Sequence, residues 1–341
     1  MASRHKLDHD QITAYFNRLE LPSHLHRYSI SGLTAAQQVD FLSRLHTRHL
    51  RTIPFENLVL HYSRHRIIDV HLSTVFEKVI QSTARGGYCI ETNALFKTLL
   101  MSLGYDAYIV PSRVYDHANQ RYNALTHCLT IVVIGDDRYA VDVGFGGNVA
   151  TVPLRLGTDE VQPLAHPSEA RIRLDSISKE LSPRKKYWIY EYRRCDQDDW
   201  SIQYCFLDLE LFPEDLAVLN LGPSTSWTSF FTQKVLCIKL TGGNELYAKF
   251  AMEENAARRQ QEENGVGCVE DDVIDGVLIL DGAVLKWRKR GVKQWEVILK
   301  NEEERARALE DVFGICLSKD EKDAIIRTAS ALVDHDSRFR R

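Results

Sequence analysis

Three residues of this chain could together make an activated nucleophile. Cys89 follows the pair Gly86-Gly87 and precedes the apolar run Leu95, Phe96, Leu99, Leu100 and Leu103. That spacing predicts a loop turning into a helix, with Cys89 in the first turn. The unpaired N–H groups and the positive dipole end at such a position favour an anion, and so a thiolate over a thiol. The glycines let a substrate approach the sulfur closely. Taken alone, a buried structural cysteine beside a helix cap explains the stretch as well. His127 lies in the β-branched run 125–134, which ends at the turn signal Gly135-Asp136-Asp137. Asp142 lies in the next run, 138–147. The two runs predict a hairpin with His127 and Asp142 near the same open end. Each of these two could be an ordinary hydrogen-bonded strand residue. Cysteine, histidine and aspartate in conjunction supply a nucleophile, a base and a carboxylate to orient the base.

Arg85-Gly86-Gly87-Tyr88-Cys89, then Thr126-His127, then Val141-Asp142-Val143-Gly144-Phe145-Gly146, resembles the arylamine N-acetyltransferase family. Ile53-Pro54-Phe55-Glu56-Asn57-Leu58 resembles a further signature upstream. Ser224-Thr225-Ser226-Trp227-Thr228-Ser229-Phe230-Phe231-Thr232 does so more loosely downstream. The likeness runs over roughly residues 10 to 250 and fits a fungal member. The chain departs from the pattern at Glu91, where many members carry glutamine, at Tyr88, where tryptophan is common, and at Trp227, where proline is usual.

The resemblance implies an α+β fold: an N-terminal helical lobe, an antiparallel β-barrel lobe and a C-terminal α/β lid around a papain-like Cys-His-Asp core. It implies transfer of an acetyl or related short acyl group from acyl-CoA to arylamines, arylhydroxylamines or arylhydrazines through a cysteine thioester. Phe55, Val114 and Phe145 would line an aromatic slot, and Glu56 with Arg85 would tie the lobes together. Gly146 would let the cofactor pass. The hydroxyls of Thr225, Ser226 and Thr228 are candidate coenzyme A contacts. Acetyl-CoA is the first expectation for the donor and malonyl-CoA the alternative. A malonyl carboxylate needs a cation or several hydrogen-bond donors near Cys89; Arg113 is placed as the cation, although strand alternation points Arg113 and Val114 to opposite faces. A transglutaminase-like or protease-like cysteine hydrolase would use the same residue order, and a binding module would leave Cys89 unreactive toward a thiol alkylating agent.

Composition sets the outer bounds. The 341 residues, 26% of them charged, suffice for several packed layers. A formal charge of −4 argues against nucleic acid as a partner. No run is apolar enough to span a membrane, and the first residues lack the apolar core of a secretion signal. The seven cysteines form no CxxC pair or metal-ligand spacing. Together these predict a cytoplasmic protein with no metal. A monomer or weak homo-oligomer is the expectation for its assembly, which the sequence itself does not give. His61, His65 and His71 fall in an Arg-rich stretch that reads as a solvated loop.

Three units must position the candidate residues. Residues 1–104 read as a helical unit carrying Cys89, with helices over 8–20, after Thr34 and after Ser73. Phe55-Glu56-Asn57-Leu58 reads as a short turn against the catalytic helix. Residues 105–222 read as a β-barrel carrying His127 and Asp142, with strands at 108–110, 113–115, 186–192 and 200–206 and a short helix from Pro213. The stretch 154–180 yields no assignment. Residues 223–341 read as the lid. It has strands at 234–240, 245–250, 277–280 and 295–299, helices from 301 and after Ser318, and a polar insertion at 252–272.

Overall fold

The structure, a computed structural model, describes residues 5–82, 84–182, 184–242 and 273–332. The expected return strand at 245–250 and the insertion at 252–272 lie outside them.

The helical lobe begins where capping residues meet apolar periodicity. Helix α1 (His9–Arg18) is opened by Asp8, whose carboxylate accepts from Gln11 N at 2.8 Å. Helix α2 (Ala35–Thr52) is opened in the same way by Thr34 and Gln37. After Pro54 comes a two-residue strand, β1 (Phe55–Glu56). The short helices α3 (Val59–Tyr62) and α4 (Leu72–Phe76) follow, the latter running into a π turn over 77–81. Helix α5 (Cys89–Leu103) completes the lobe and stops at Gly104 in the left-handed region. Ile12, Phe16, Leu42, Leu45, Leu95 and Leu99 share one buried core.

The barrel is an eight-stranded antiparallel sheet. Its strands are β2 (Asp106–Asp116), β3 (Arg121–Ile134), β4 (Asp137–Val141), β5 (Leu154–Arg155), β6 (Gln162–Pro163), β7 (Glu169–Asp175), β8 (Tyr187–Arg193) and β9 (Ser201–Phe206). They lie in the order β5-β4-β3-β2-β9-β8-β7-β6, and β5 also meets β7, so the sheet is nearly closed. The runs 108–110 and 113–115 are one strand, interrupted by register shifts at Arg113 and Tyr115. The stretch 154–180 supplies β5 to β7.

The lid contains α6 (Pro213–Thr225), α7 (Phe230–Gln233), β10 (Leu236–Gly242), β11 (Ile274–Asp281), β12 (Val284–Lys289), β13 (Val292–Ile298), α8 (Glu302–Phe313) and α9 (Lys319–Ala324). Its sheet runs β1-β10-β11-β12-β13. The stretch from Phe55 is therefore not simply a turn. Phe55 and Glu56 form the edge of the lid sheet, opposite Ile238 and Cys237, and Phe55 also bridges to Gly87 just before the catalytic helix. Helix α8 packs on the sheet face carrying Leu278, Leu280 and Leu285. Helix α6 has 13 residues, longer than the short helix expected from Pro213. No helix among the described residues is long and apolar enough to cross a membrane.

Candidate active site

Cys89 is the first residue of α5, as its sequence context predicts, and is almost fully buried. Glu91 caps this helix: one carboxylate oxygen accepts from Tyr88 N at 3.1 Å, and the other meets Lys78 Nζ at 2.5 Å. Burial nevertheless raises the Glu91 carboxyl above its usual range, despite Lys78. The Cys89 sulfur lies 3.9 Å from the Thr126 carbonyl oxygen, on the strand that carries the histidine.

The β3–β4 hairpin brings the other two residues to the same place. Ile134 pairs with Asp137 and Thr130 with Val141, so Asp142 emerges just past the end of β4, beside His127. His127 Nε2 donates to Asp142 Oδ2 at 2.8 Å, which leaves Nδ1 for the cysteine, whose sulfur is near enough to act on the imidazole's charge. Burial alone would lower the imidazole pKa. The Asp142 carboxylate and the Cys89 sulfur outweigh it and hold the group up at about 10. Burial would likewise raise Asp142, but His127, Asn93 and the Gly144 N–H hold its carboxyl below the usual value. The site therefore favours an imidazolium between two groups that stabilise its charge.

Asn93 was not singled out from the sequence. One turn along α5 from Cys89, its Nδ2 donates to Asp142 Oδ1 at 3.0 Å and to Cys128 O at 2.9 Å. Its Oδ1 accepts from Val143 N at 3.0 Å. The i, i+4 spacing from Cys89 was the available signal. Asp142 Oδ1 also accepts from Gly144 N at 2.9 Å. A Cβ on Gly144 would fall 2.6 Å from the Cys89 Cα, so only glycine lets this loop lie on the helix start. Behind the carboxylate, His46 Nε2 bonds the Asp142 carbonyl at 2.9 Å, and burial lowers the His46 pKa to about 4.

Aromatic side chains surround the triad. Phe145 stands edge-on to His127 at 5.3 Å and to Tyr204 at 4.9 Å. Phe55 meets Phe231 at 6.0 Å, and Phe231 meets Tyr88 at 5.4 Å. Phe231 and Tyr204 were also missed: Phe231 sits in the run 224–232, where the reading settled on the hydroxyls, and Tyr204 in a run that reads simply as strand. Val114 pairs with Tyr204 across β2 and β9, and so shares the face that carries Tyr204. Arg113 pairs with Cys205 on the opposite face, where its guanidinium donates to Asn123 O at 3.3 Å. Gly146, with φ of 96°, packs against Phe55 and Ile238. Thr225 ends α6, and Ser226 and Thr228 lie between α6 and α7. Thr225 bonds back to Leu221 O, and Ser226 bonds Thr228.

Arg85 Nε meets Glu56 Oε1 at 3.0 Å, and Arg85 Nη1 meets Glu321 Oε1 at 3.1 Å. The ion pair thus joins β1 and the approach to Cys89 with α9. Burial would raise Glu56, but Arg85 and Lys78 bring it down to about 2. His61 corrects the expectation of a solvated histidine stretch. It is buried, and its ring bonds Ser330 Oγ at 2.8 Å and Phe231 O at 2.9 Å. His65 and His71 are exposed as expected. No group of side chains among the described residues could hold a metal ion.

An N-acetyltransferase family model matches residues 38–278. The N-malonyltransferase FDB2 of Gibberella moniliformis is 28% identical over 352 residues, which cover 95% of this chain and 93% of that protein. The arylamine N-acetyltransferase of Escherichia coli is 33% identical over 222 residues, which cover 64% of this chain and 73% of that one. Among solved structures, the arylamine N-acetyltransferase of Salmonella typhimurium aligns with a TM-score of 0.70 and 25% identity, covering 94% of this chain and 98% of that chain. The Mycobacterium marinum arylamine N-acetyltransferase in complex with CoA aligns with a TM-score of 0.69 and 25% identity, covering 92% and 97%.

Proposed function

This chain belongs to the N-acetyltransferase family, and from that premise we propose the residues that carry its acyl transfer. Acyl-CoA is the co-substrate and an aromatic amine the acceptor. Cys89 is the nucleophile, His127 the general acid and base, and Asp142 the carboxylate that orients and charges His127. The observation that carries this reading is the His127–Asp142 bond of 2.8 Å, with Cys89 at the start of a buried helix and its sulfur 3.9 Å from the carbonyl of Thr126, the residue before His127.

The chemistry follows in two transfers. The Cys89 thiolate attacks the thioester carbonyl, and the backbone N–H of Cys89 faces the developing oxyanion. The carbon–sulfur bond to coenzyme A breaks, and His127 protonates the leaving thiolate. The neutral arylamine then attacks the acyl-cysteine, His127 takes its proton, and Cys89 leaves as thiolate. Phe55, Val114 and Phe145 are the proposed amine-slot residues, now joined by Phe231. Gly146, Thr225, Ser226 and Thr228 are the proposed coenzyme A contacts on the slot's rim.

Acetyl-CoA is the donor in this reading. Arg113 lies on the face away from Val114, and Arg85 and Lys78 are engaged by Glu56 and Glu91. A malonyl carboxylate therefore lacks an evident counter-charge. One observation favours a second reading, malonyl transfer: the relative aligned over 95% of this chain is an N-malonyltransferase. Supplying acetyl-, propionyl- and malonyl-CoA together and identifying the group on Cys89 decides between them. Exclusive malonyl loading overturns the first reading. We also read the protein as a cytoplasmic monomer or weak homo-oligomer without a nucleic-acid partner. The charge supports the absence of a nucleic-acid partner, and the unpaired cysteines among the described residues support the cytoplasm.

A further inference from the structure

We propose that Lys78 is a positioning residue of the transfer: its ammonium neutralises Glu91, so that the carboxylate capping the catalytic helix does not oppose a negative charge on Cys89. The proposal rests on the reading of Cys89 as nucleophile and adds a residue from another element that acts on it at one remove.

Two demands meet at the start of α5. A carboxylate in the first turn of a helix is favourable, because it accepts from an unpaired N–H and meets the positive end of the dipole. Glu91 does this through Tyr88 N at 3.1 Å, with its side chain 2% exposed. The same dipole end serves a thiolate at Cys89, and a second negative charge beside it is repulsive. The Glu91 carboxylate holds the N–H of the residue before Cys89, which puts the two anions roughly 8 Å apart by standard backbone dimensions. At an effective dielectric of about 20, an uncompensated unit charge at that distance moves a titration by about 1.5 pH units.

The counter-charge sits on the oxygen that the cap leaves over. Tyr88 N uses Glu91 Oε2, and Lys78 Nζ lies 2.5 Å from Oε1. Lys78 is itself largely buried, and Glu91 is its one ion-pair partner among the described residues. It projects from the π turn 77–81, closed by Ser82 N donating to Glu77 O at 3.0 Å. Such turns are rare and recur at functional sites. On the other side, Gly87 makes room for the carboxylate: an added Cβ would stand 2.8 Å from Glu91 Oε2.

The other charges around Glu91 do not supply this compensation. Arg85 stands 3.0 Å from Glu56 and 3.1 Å from Glu321, so its charge is already matched. Glu56, from β1, adds a like charge that pushes the Glu91 carboxyl further up, and Lys78 is the strongest influence in the other direction. Lys78 also helps to hold Glu56 down. Two carboxylates and two cations therefore balance beneath Cys89, and loss of Lys78 leaves Glu91 as the uncompensated member. An uncharged amide would accept from Tyr88 N as well as a carboxylate does, and would require no lysine. The pair is thus separable: either partner lost alone unbalances the helix start, and both lost together restore neutrality.

The test alkylates Cys89 with iodoacetamide, a neutral reagent, across a pH series and follows the modified peptide by mass. Wild type, Lys78→Met, Glu91→Gln, the double variant and Lys78→Arg are compared. The pH of half-maximal rate should rise by about one unit in Lys78→Met and fall by about half a unit or more in Glu91→Gln. It should return to within about 0.3 unit of wild type in the double variant, and stay there in Lys78→Arg, which keeps the charge. A purely structural pair would lower the melting temperature of both single variants and leave both midpoints in place. That result, two shifts of the same sign, or a double variant that does not return overturns the proposal. If Lys78→Met fails to fold, Glu91→Gln decides: a downward shift supports the proposal, and an unmoved midpoint refutes it. If Cys89 of wild type reacts no faster than the exposed Cys316, the nucleophile reading falls, and this inference with it. No acyl-CoA enters the assay, so its outcome is independent of which donor the protein uses.

Discussion

The triad and the aromatic rim above it are neighbours built on opposite principles. Around Asp142, both carboxylate oxygens and the backbone carbonyl are taken by named donors: His127, Asn93, Gly144 N–H and His46. Around the slot, Phe55, Phe145 and Phe231 meet other rings and make few polar bonds. A saturated polar knot has one low-energy arrangement, because every lost bond strands a buried group. An apolar rim tolerates exchange of one side chain for another of similar volume. The knot should therefore set whether reaction occurs, and the rim which acceptor reacts.

This contrast can be broken at several points. Cys89→Ala should abolish acyl transfer, by roughly 10⁴-fold or more, while the melting temperature barely moves. Turnover within tenfold of wild type would remove the nucleophile from the account. Asp142→Asn should lower kcat by about 10³–10⁴-fold through loss of the imidazole's orientation and charge. A near-normal rate beside a dead His127→Ala would make the site a dyad. Asn93→Ala should reduce kcat for every acceptor alike and cost about 2–4 kcal/mol of stability, since it strands buried groups on Asp142, Cys128 and Val143. An effect confined to one acceptor would move Asn93 from the knot to the rim.

Smaller effects sharpen the comparison. Phe231→Ala should raise KM for bulky arylamines about tenfold and leave kcat within a few fold, as expected for a lost aromatic wall. The pH response should be the gentlest. His127 is held at about 10 in the folded protein, above its unfolded value. Its stabilising contribution is complete below roughly pH 6.5 and is lost as the pH rises toward 10. Thermal melts of wild type and His127→Gln should therefore converge between pH 7 and pH 10. A constant gap would contradict a charged imidazole in the knot.

The knot was more legible in the sequence than the rim for the same physical reason. A nucleophile at a helix start, a histidine and an aspartate at one end of a hairpin carry fixed local signals, and their chain order can be read. Asn93 carried a fainter one, its i+4 spacing from Cys89. Phe231 carried only the loose likeness of its run and Tyr204 none, because an aromatic residue packed in a site looks like one packed in a core. Phe55 and Glu56 read as a turn because their strand partners, Ile238 and Cys237, lie far along the chain. The histidine His61 misled for a similar reason: its partner Ser330 is distant, and its local neighbours are arginines. Strands β5 to β7 lacked alternation strong enough to show through their prolines and charges.

The central claim is that the acyl group rests on Cys89 between the two transfers. The direct measurement is to incubate the protein with acyl-CoA without amine, remove the donor, and weigh the intact chain. Arylamine alone is then added to the isolated product. The account predicts a mass increase of one acyl group, mapped to Cys89, and its stoichiometric discharge onto the amine. An unmodified chain, or product formed only while acyl-CoA remains present, would contradict it.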